Sequence, residues 1–128
     1  MTLEGRLCSG LGEGAVFTQL DWVAREFQAK LGYVPHPGTL NLSLSGDAWT
    51  RLRSRLQQAA GIAIEPPAGF CAAKCFEVLI NDRIKGAAVL PEVAGYPADK
   101  LEIVAPVAVR RELRLHDGDR VRLQLRIE

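Results

Sequence analysis

The hydrophobic positions of this chain follow two rhythms. Alternation with period two is clearest at the C-terminal end, where Val121, Leu123, Leu125 and Ile127 are separated by arginine and glutamine, the mark of a strand with one apolar face. Asp117-Gly118 supplies a turn before it. Leu40, Leu42 and Leu44 alternate in the same way after "YVPHPGT", and Leu101, Ile103 and Ala105 do so in "KLEIVAP", with Glu102 on the opposite side. "LEGRLCSG", "CFEVLIN" and "KGAAVLP" are further strand candidates, the last two joined by a turn near Asp82. Two windows switch to helical spacing. "LDWVAREFQAKLGY" carries Trp22, Val23, Phe27 and Leu31 as an apolar stripe, read as core, with Gly32 as the C-cap. "DAWTRLRSRLQQAAG" predicts a second amphipathic helix, with Asp47 as its N-cap and Arg51, Arg53 and Arg55 on a solvated face. "VAVRREL" fits a short helix. Many short strands and few helices, without regular strand–helix alternation, predict a mainly β chain, a β-barrel with appended helices.

Length and charge narrow the picture. The 128 residues contain no repeat or linker and are expected to form one domain, 1–128, large enough to bury a core. A net charge of +1 gives no bulk attraction to nucleic acid or an anionic membrane, and the arginines lack interleaved aromatics. The polar start "MTLEGRLCSG" is unlike a signal peptide, and no apolar run reaches membrane-spanning length. A cytoplasmic, monomeric protein with reduced cysteines is the expectation. Cys71 and Cys75 in "FCAAKC" lack a second cysteine pair or nearby histidine to complete a tetrahedral metal set, and read as small side chains on a strand or its approach.

Two segments carry candidate chemistry. "SGLGEGAVF" sets Gly10, Gly12 and Gly14 around one acid, Glu13. Glycine lets the backbone approach a ligand closely, so successive N–H groups can cradle an anion. No lysine follows, and the glycine spacing differs from the dinucleotide fingerprint. The competing reading is a plain Gly-rich connection. In "PHPGTLNL", Pro35 and Pro37 flank His36, and Gly38 permits a tight turn into a strand. Thr39 and Asn41, two residues apart, project from one face. Their hard oxygens suit Mg²⁺, which takes few protein ligands and completes its shell with water and phosphate. Alternatively, both side chains bond their own turn. Neither histidine has a visible catalytic partner.

Taken in order, "SGLGEGAVF", "LGYVPHPGTLNL", "LEIVAPVAVRREL" and "LHDGDRV" resemble the archaeal-type CTP-dependent riboflavin kinases over residues 5–125. The resemblance implies a small six-stranded cradle-loop β-barrel that phosphorylates the ribityl 5′-hydroxyl of riboflavin from CTP, giving FMN and CDP. It implies that Leu11, Gly12, Glu13, Gly14, Ala15 and Val16 line the cytidine nucleotide, and that Val107, Ala108, Val109 and Arg110 complete its pocket. Thr39 and Asn41 would hold Mg²⁺. Glu102 matches a flavin-binding position and is the candidate to orient or deprotonate the attacking hydroxyl. The Arg110 guanidinium is read as available to an anion or a base edge. The family's Thr-x-His is replaced here by Ala94-Gly95-Tyr96, so a hydroxyl is missing at position 94, on the flavin side. Two alternatives follow from that loss: a non-enzymatic cytidine-nucleotide module, and a kinase for another small alcohol.

Overall fold

The computed structural model describes residues 1–9 and 17–127. Its strands are β1 (Thr2–Cys8), β2 (Leu40–Ser43), β3 (Ile62–Ile64), β4 (Ala73–Ile80), β5 (Ile84–Pro91), β6 (Lys100–Val104) and β7 (Arg120–Leu125). The helices α1 (Asp21–Leu31), α2 (Asp47–Gln58) and α3 (Val109–Glu112) sit between them. All pairings are antiparallel, in the order β3-β4-β5-β6-β2-β1-β7, and a further β4–β7 pairing closes the sheet. The result is a six-stranded barrel with β3 as an extra strand. One edge of β4 serves two partners: Ala73 to Cys75 face β3, and Val78 to Ile80 face β7. Closure leaves the barrel strands no free edge.

The period-two patterns decide which side chains enter the barrel. Leu42 lies opposite Leu101, Leu7 opposite Leu42, and Val78 opposite Leu125. These side chains share one buried cluster with Phe76, Ile80, Ile103 and Leu123. Trp49, Leu52 and Leu56 of α2 add to that cluster. A second cluster lies on the outer face of β3, β4 and β5, where Val23 and Phe27 of α1 cover Ile64, Cys75, Ala87 and Val89. Full burial of Val23 and Phe27 contributes roughly 1.5–3 kcal/mol each.

Most predicted elements form. Gly32 caps α1 in the left-handed region, φ 85°, its N–H bonding the Phe27 carbonyl at 3.1 Å. Asn81 and Asp82 turn β4 into β5 at φ 47° and 60°, a conformation that Asn and Asp tolerate better than other side chains. Two expectations are corrected, and one strand is new. Asp47 is the first residue of α2, and Gly46 takes the cap position at φ 95°, because the chain leaving β2 turns there through a conformation that suits glycine. Trp22 is half-buried while Val23 and Phe27 are fully buried. It lies about 100° around the helix from Val23, so it flanks the core stripe instead of joining it. Ile62 to Ile64 form β3, a strand that three apolar-rich residues do not announce.

Gly86 faces the tightest approach in the barrel. A Cβ there would lie 2.5 Å from the Val104 carbonyl oxygen and 3.2 Å from Ile80 Cδ1. Gly86→Ala is expected to lower stability by about 1–3 kcal/mol, the usual cost of overpacking, as a lower urea midpoint at unchanged slope. An unchanged midpoint would contradict the packing described.

Candidate active site

The register of β2 against β6 builds the centre of the site. Asn41 pairs with Glu102, and Leu40 and Leu42 pair with Ile103 and Leu101. The leucines and isoleucine fill the barrel, so Asn41 and Glu102 project from its outer face. Thr39, two residues before Asn41, projects with them. Ahead of it, the His36 N–H bonds the Ala105 carbonyl at 2.7 Å. Gly38 then turns at φ 101°, its N–H bonding Thr18 Oγ1 at 2.9 Å.

These side chains touch. Thr39 Oγ1 donates to Glu102 Oε1 at 3.1 Å. Asn41 Nδ2 donates to the Thr39 carbonyl at 3.2 Å, with Thr39 Oγ1 at 3.5 Å. The Tyr96 hydroxyl donates to Glu102 Oε2. Asn41 is 7% exposed, and its Oδ1 is buried with no hydrogen-bond partner. An unpaired buried acceptor costs about 1–3 kcal/mol. Asn41 Oδ1 is thus a hard oxygen held close to the Thr39 hydroxyl, the type of donor that hard cations accept.

Two clefts meet at this point. One, of about 200 Å³, runs from His36 to Leu40 and is closed by Ala105, Val107, Ala108, Val109 and Arg110. The other, of about 320 Å³, is mainly apolar; Phe17, Trp22, Phe70, Val89 and Tyr96 wall it, and Glu102 lies at its polar end. Thr39 lines both. In the apolar cleft Trp22 stacks edge-on with Phe17, ring centroids 6.2 Å apart, and lies 5.6 Å from Phe70, which is 49% exposed. The Trp22 Nε1–H is buried without a partner.

The sequence-predicted residues fall out as follows. Thr39, Asn41 and Glu102 come together. Val107, Ala108, Val109 and Arg110 line the smaller cleft with Thr39. Arg110 is not free, as the sequence suggested: its Nη2 donates to Asp117 Oδ1 at 2.5 Å, and Ser9 Oγ donates to Asp117 Oδ2 at 2.6 Å. Ala94 is exposed and absent from the apolar cleft wall, to which Val93 and Tyr96 contribute. Leu11, Gly12, Glu13, Gly14, Ala15 and Val16 lie outside the described residues. Flanking that segment, Ser9 is bonded to Asp117 and Thr18 to Gly38. Sequence reasoning missed the aromatic wall. Its one available signal was Trp22 lying off the Val23–Phe27 stripe. As for "FCAAKC", Cys71 is exposed and Cys75 buried. Burial pushes the Cys75 thiol up to about 12, so it carries no thiolate at neutral pH. Among the described residues no group of three His, Cys, Asp or Glu side chains is placed to hold a metal, and no helix is long and apolar enough to cross a membrane.

The family described as domain of unknown function DUF120, the CTP-dependent riboflavin kinases, matches residues 7–125. Three similar proteins bear the name riboflavin kinase. That of Methanosarcina barkeri is 39% identical over 130 residues, covering 98% of this chain and 57% of its own length. That of Aeropyrum pernix is 41% identical over 126 residues, covering 95% and 93%. That of Pyrobaculum islandicum is 40% identical over 133 residues, covering 98% and 61%. The chain thus spans little more than half of some of the relatives it matches and nearly all of another.

The Asp117 clasp generates a pH prediction. The Ser9 hydroxyl and then the Arg110 guanidinium hold its carboxyl below the ordinary aspartate range. A depressed folded-state pKa means the clasp is complete above the unfolded value of about 3.9 and opens as pH falls through the lower folded value. An NMR titration of the Asp117 carboxyl carbon should give a midpoint below 3.9. A midpoint at or above that value contradicts the clasp.

Proposed function

The chain belongs to the CTP-dependent riboflavin kinase family, and from that premise we propose that it transfers the γ-phosphoryl group of CTP to the 5′-hydroxyl of riboflavin, giving FMN and CDP. The observation that carries the reading is the meeting of two clefts of different character at Thr39, beside Asn41 and Glu102. The aromatic cleft suits a flat tricyclic ring system, and Trp22 Nε1–H offers a donor to a ring carbonyl. The smaller cleft takes the cytidine nucleotide. Val107, Ala108 and Val109 form its apolar side, and the Gly-rich segment from Gly10 to Gly14 is assigned to the phosphates on its sequence. Arg110 acts with Asp117 in shaping the pocket, not as a lone cation.

In the reaction the ribityl 5′-oxygen forms a bond to the γ-phosphorus as the bond from that phosphorus to the β–γ bridging oxygen breaks. CDP leaves with that oxygen. Such transfers pass through a loose transition state, so positioning and charge neutralisation supply most of the rate. Glu102 orients the attacking hydroxyl through a carboxylate lone pair left open by Thr39 and Tyr96, and receives its proton. Thr39 and Asn41 Oδ1 would hold Mg²⁺, which neutralises phosphate charge when bound. The Glu102 bond takes up the Thr39 hydroxyl hydrogen, which leaves the oxygen to act as an acceptor. Position 94 does not decide the acceptor in this account, because Ala94 is exposed and lies outside the wall of the apolar cleft.

Purified protein incubated with CTP, Mg²⁺ and riboflavin is expected to form FMN and CDP in equal amounts by chromatography, and ATP is expected to replace CTP poorly. Absence of FMN would contradict the reading. Nucleotide binding without transfer would favour the non-enzymatic module instead. Asn41→Ala is expected to raise the Mg²⁺ concentration for half-maximal rate at least tenfold, the order of one lost ligand contact. Because the variant also removes an unpaired buried acceptor, its melting temperature should not fall by more than a few degrees. Wild-type activity at limiting Mg²⁺ would refute the role of Asn41.

A further inference from the structure

We propose that Tyr96 is a positioning residue: interposed between Lys100 and Glu102, its hydroxyl holds the Glu102 carboxylate toward Thr39 and keeps it from pairing with the lysine. The proposal rests on the phosphoryl-transfer reading above and concerns a residue that reading leaves without a role of its own. Lys100 and Glu102 are two apart on β6, opposite Ser43 and Asn41, so both project from the outer face of the barrel. Opposite charges at that spacing ordinarily attract. They form no ion pair here, and Lys100 has no carboxylate partner among the described residues.

Tyr96 occupies the space between them. Its hydroxyl donates to Glu102 Oε2, while the Lys100 ammonium sits 5.7 Å from the centroid of its ring. A cation over an aromatic face is held by the ring quadrupole, so one side chain provides for both charges and keeps them apart. The backbone fixes the tyrosine in place: its N–H bonds the Val93 carbonyl at 3.3 Å, and Gly95 takes φ 81° in the turn between. The ring also divides space. It belongs both to the aromatic cleft and to a more polar one beyond it that holds Arg53 and Lys100.

With Thr39 on Oε1 and Tyr96 on Oε2, two segments of chain fix both the position and the plane of the carboxylate. Burial first, and Glu102 second, push the phenol well above its ordinary range. It stays protonated at neutral pH and remains a donor. Remove the hydroxyl, and Lys100 and Arg53 compete for a carboxylate tethered only by Thr39.

The test compares wild type, Tyr96→Phe, and Tyr96→Phe combined with Lys100→Met in full-chain protein, assaying FMN formation from CTP and riboflavin, with thermal melts to confirm folding. Tyr96→Phe is expected to lower kcat about tenfold or more, the range for a hydrogen bond to a charged group. The KM for CTP should move less than about twofold, because the nucleotide cleft is untouched. Lys100→Met in the Tyr96→Phe background should recover at least about threefold of the lost kcat, since the competing cation is gone. A role confined to packing would show no such recovery. A Tyr96→Phe rate within twofold of wild type, or a loss that Lys100→Met leaves unchanged, overturns the proposal. If wild type itself forms no FMN, the kinase reading falls, and the proposal falls with it.

Discussion

Asn41 stands directly opposite Glu102 across the β2–β6 ladder, and everything at the candidate site depends on that register. Side chains alternate along a strand, so a slip of one residue would exchange inside for outside. Asn41 and Glu102 would then enter the barrel, and Leu40, Leu42 and Ile103 would face solvent. The apolar interior forbids this, since those three side chains are all at most 7% exposed. The core therefore fixes the position of the polar pair more firmly than any contact the pair makes itself. Closure of the barrel through β4 and β7 removes the remaining freedom, because no strand can shift without disturbing both neighbours.

The outer wall is divided in consequence. Over β3, β4 and β5 it is covered by α1, whose Val23 and Phe27 seal the second core. Next to that seal it stays open, and Trp22, one residue before Val23, turns from core to cleft wall. One helix thus closes half of the wall and lines the cleft in the other half. The site also retains groups that a purely structural surface would satisfy. Asn41 Oδ1 and Trp22 Nε1 are both buried and unpaired. Native structures hold few such atoms. Asn41 neighbours Thr39 and Glu102 at the junction and Trp22 walls the apolar cleft, while a third such atom, the Tyr33 hydroxyl oxygen, lies against the second core.

Much of this was legible in the chain. Strand candidates covered six of the seven strands, with alternation clearest in β2, β6 and β7, and the helical stripes marked α1 and α2. The period is weaker in β4 and β5 because they bury both faces, one in the barrel and one under α1. The three-residue β3 escaped because it pairs with only part of β4 and carries too few residues to show a period. Asp47 was misplaced by one position, since the turn out of β2 demands a glycine where an acid usually caps. At the site, spacing alone left Thr39 and Asn41 open between a metal shelf and a self-bonded turn, and alternation gave Glu102 only an outward-facing place. The resemblance of the motifs is what singled out all three. The aromatic wall was not legible. Phe17, Trp22, Phe70 and Tyr96 come from four separate segments, and no local pattern records which loops converge. Nor does sequence tell that Arg110 is engaged by Asp117, seven residues on.

The central claim is that both clefts end at one cation position beside Thr39 and Asn41. Mn²⁺ in place of Mg²⁺ tests it directly, since its unpaired electrons speed the relaxation of nearby nuclei. With CDP and riboflavin bound together, the account predicts strong enhancement of both the CDP ³¹P resonances and the ribityl C5′ protons, and loss of both in Asn41→Ala. Enhancement of the nucleotide alone, with the ribityl protons unaffected, would contradict a shared junction.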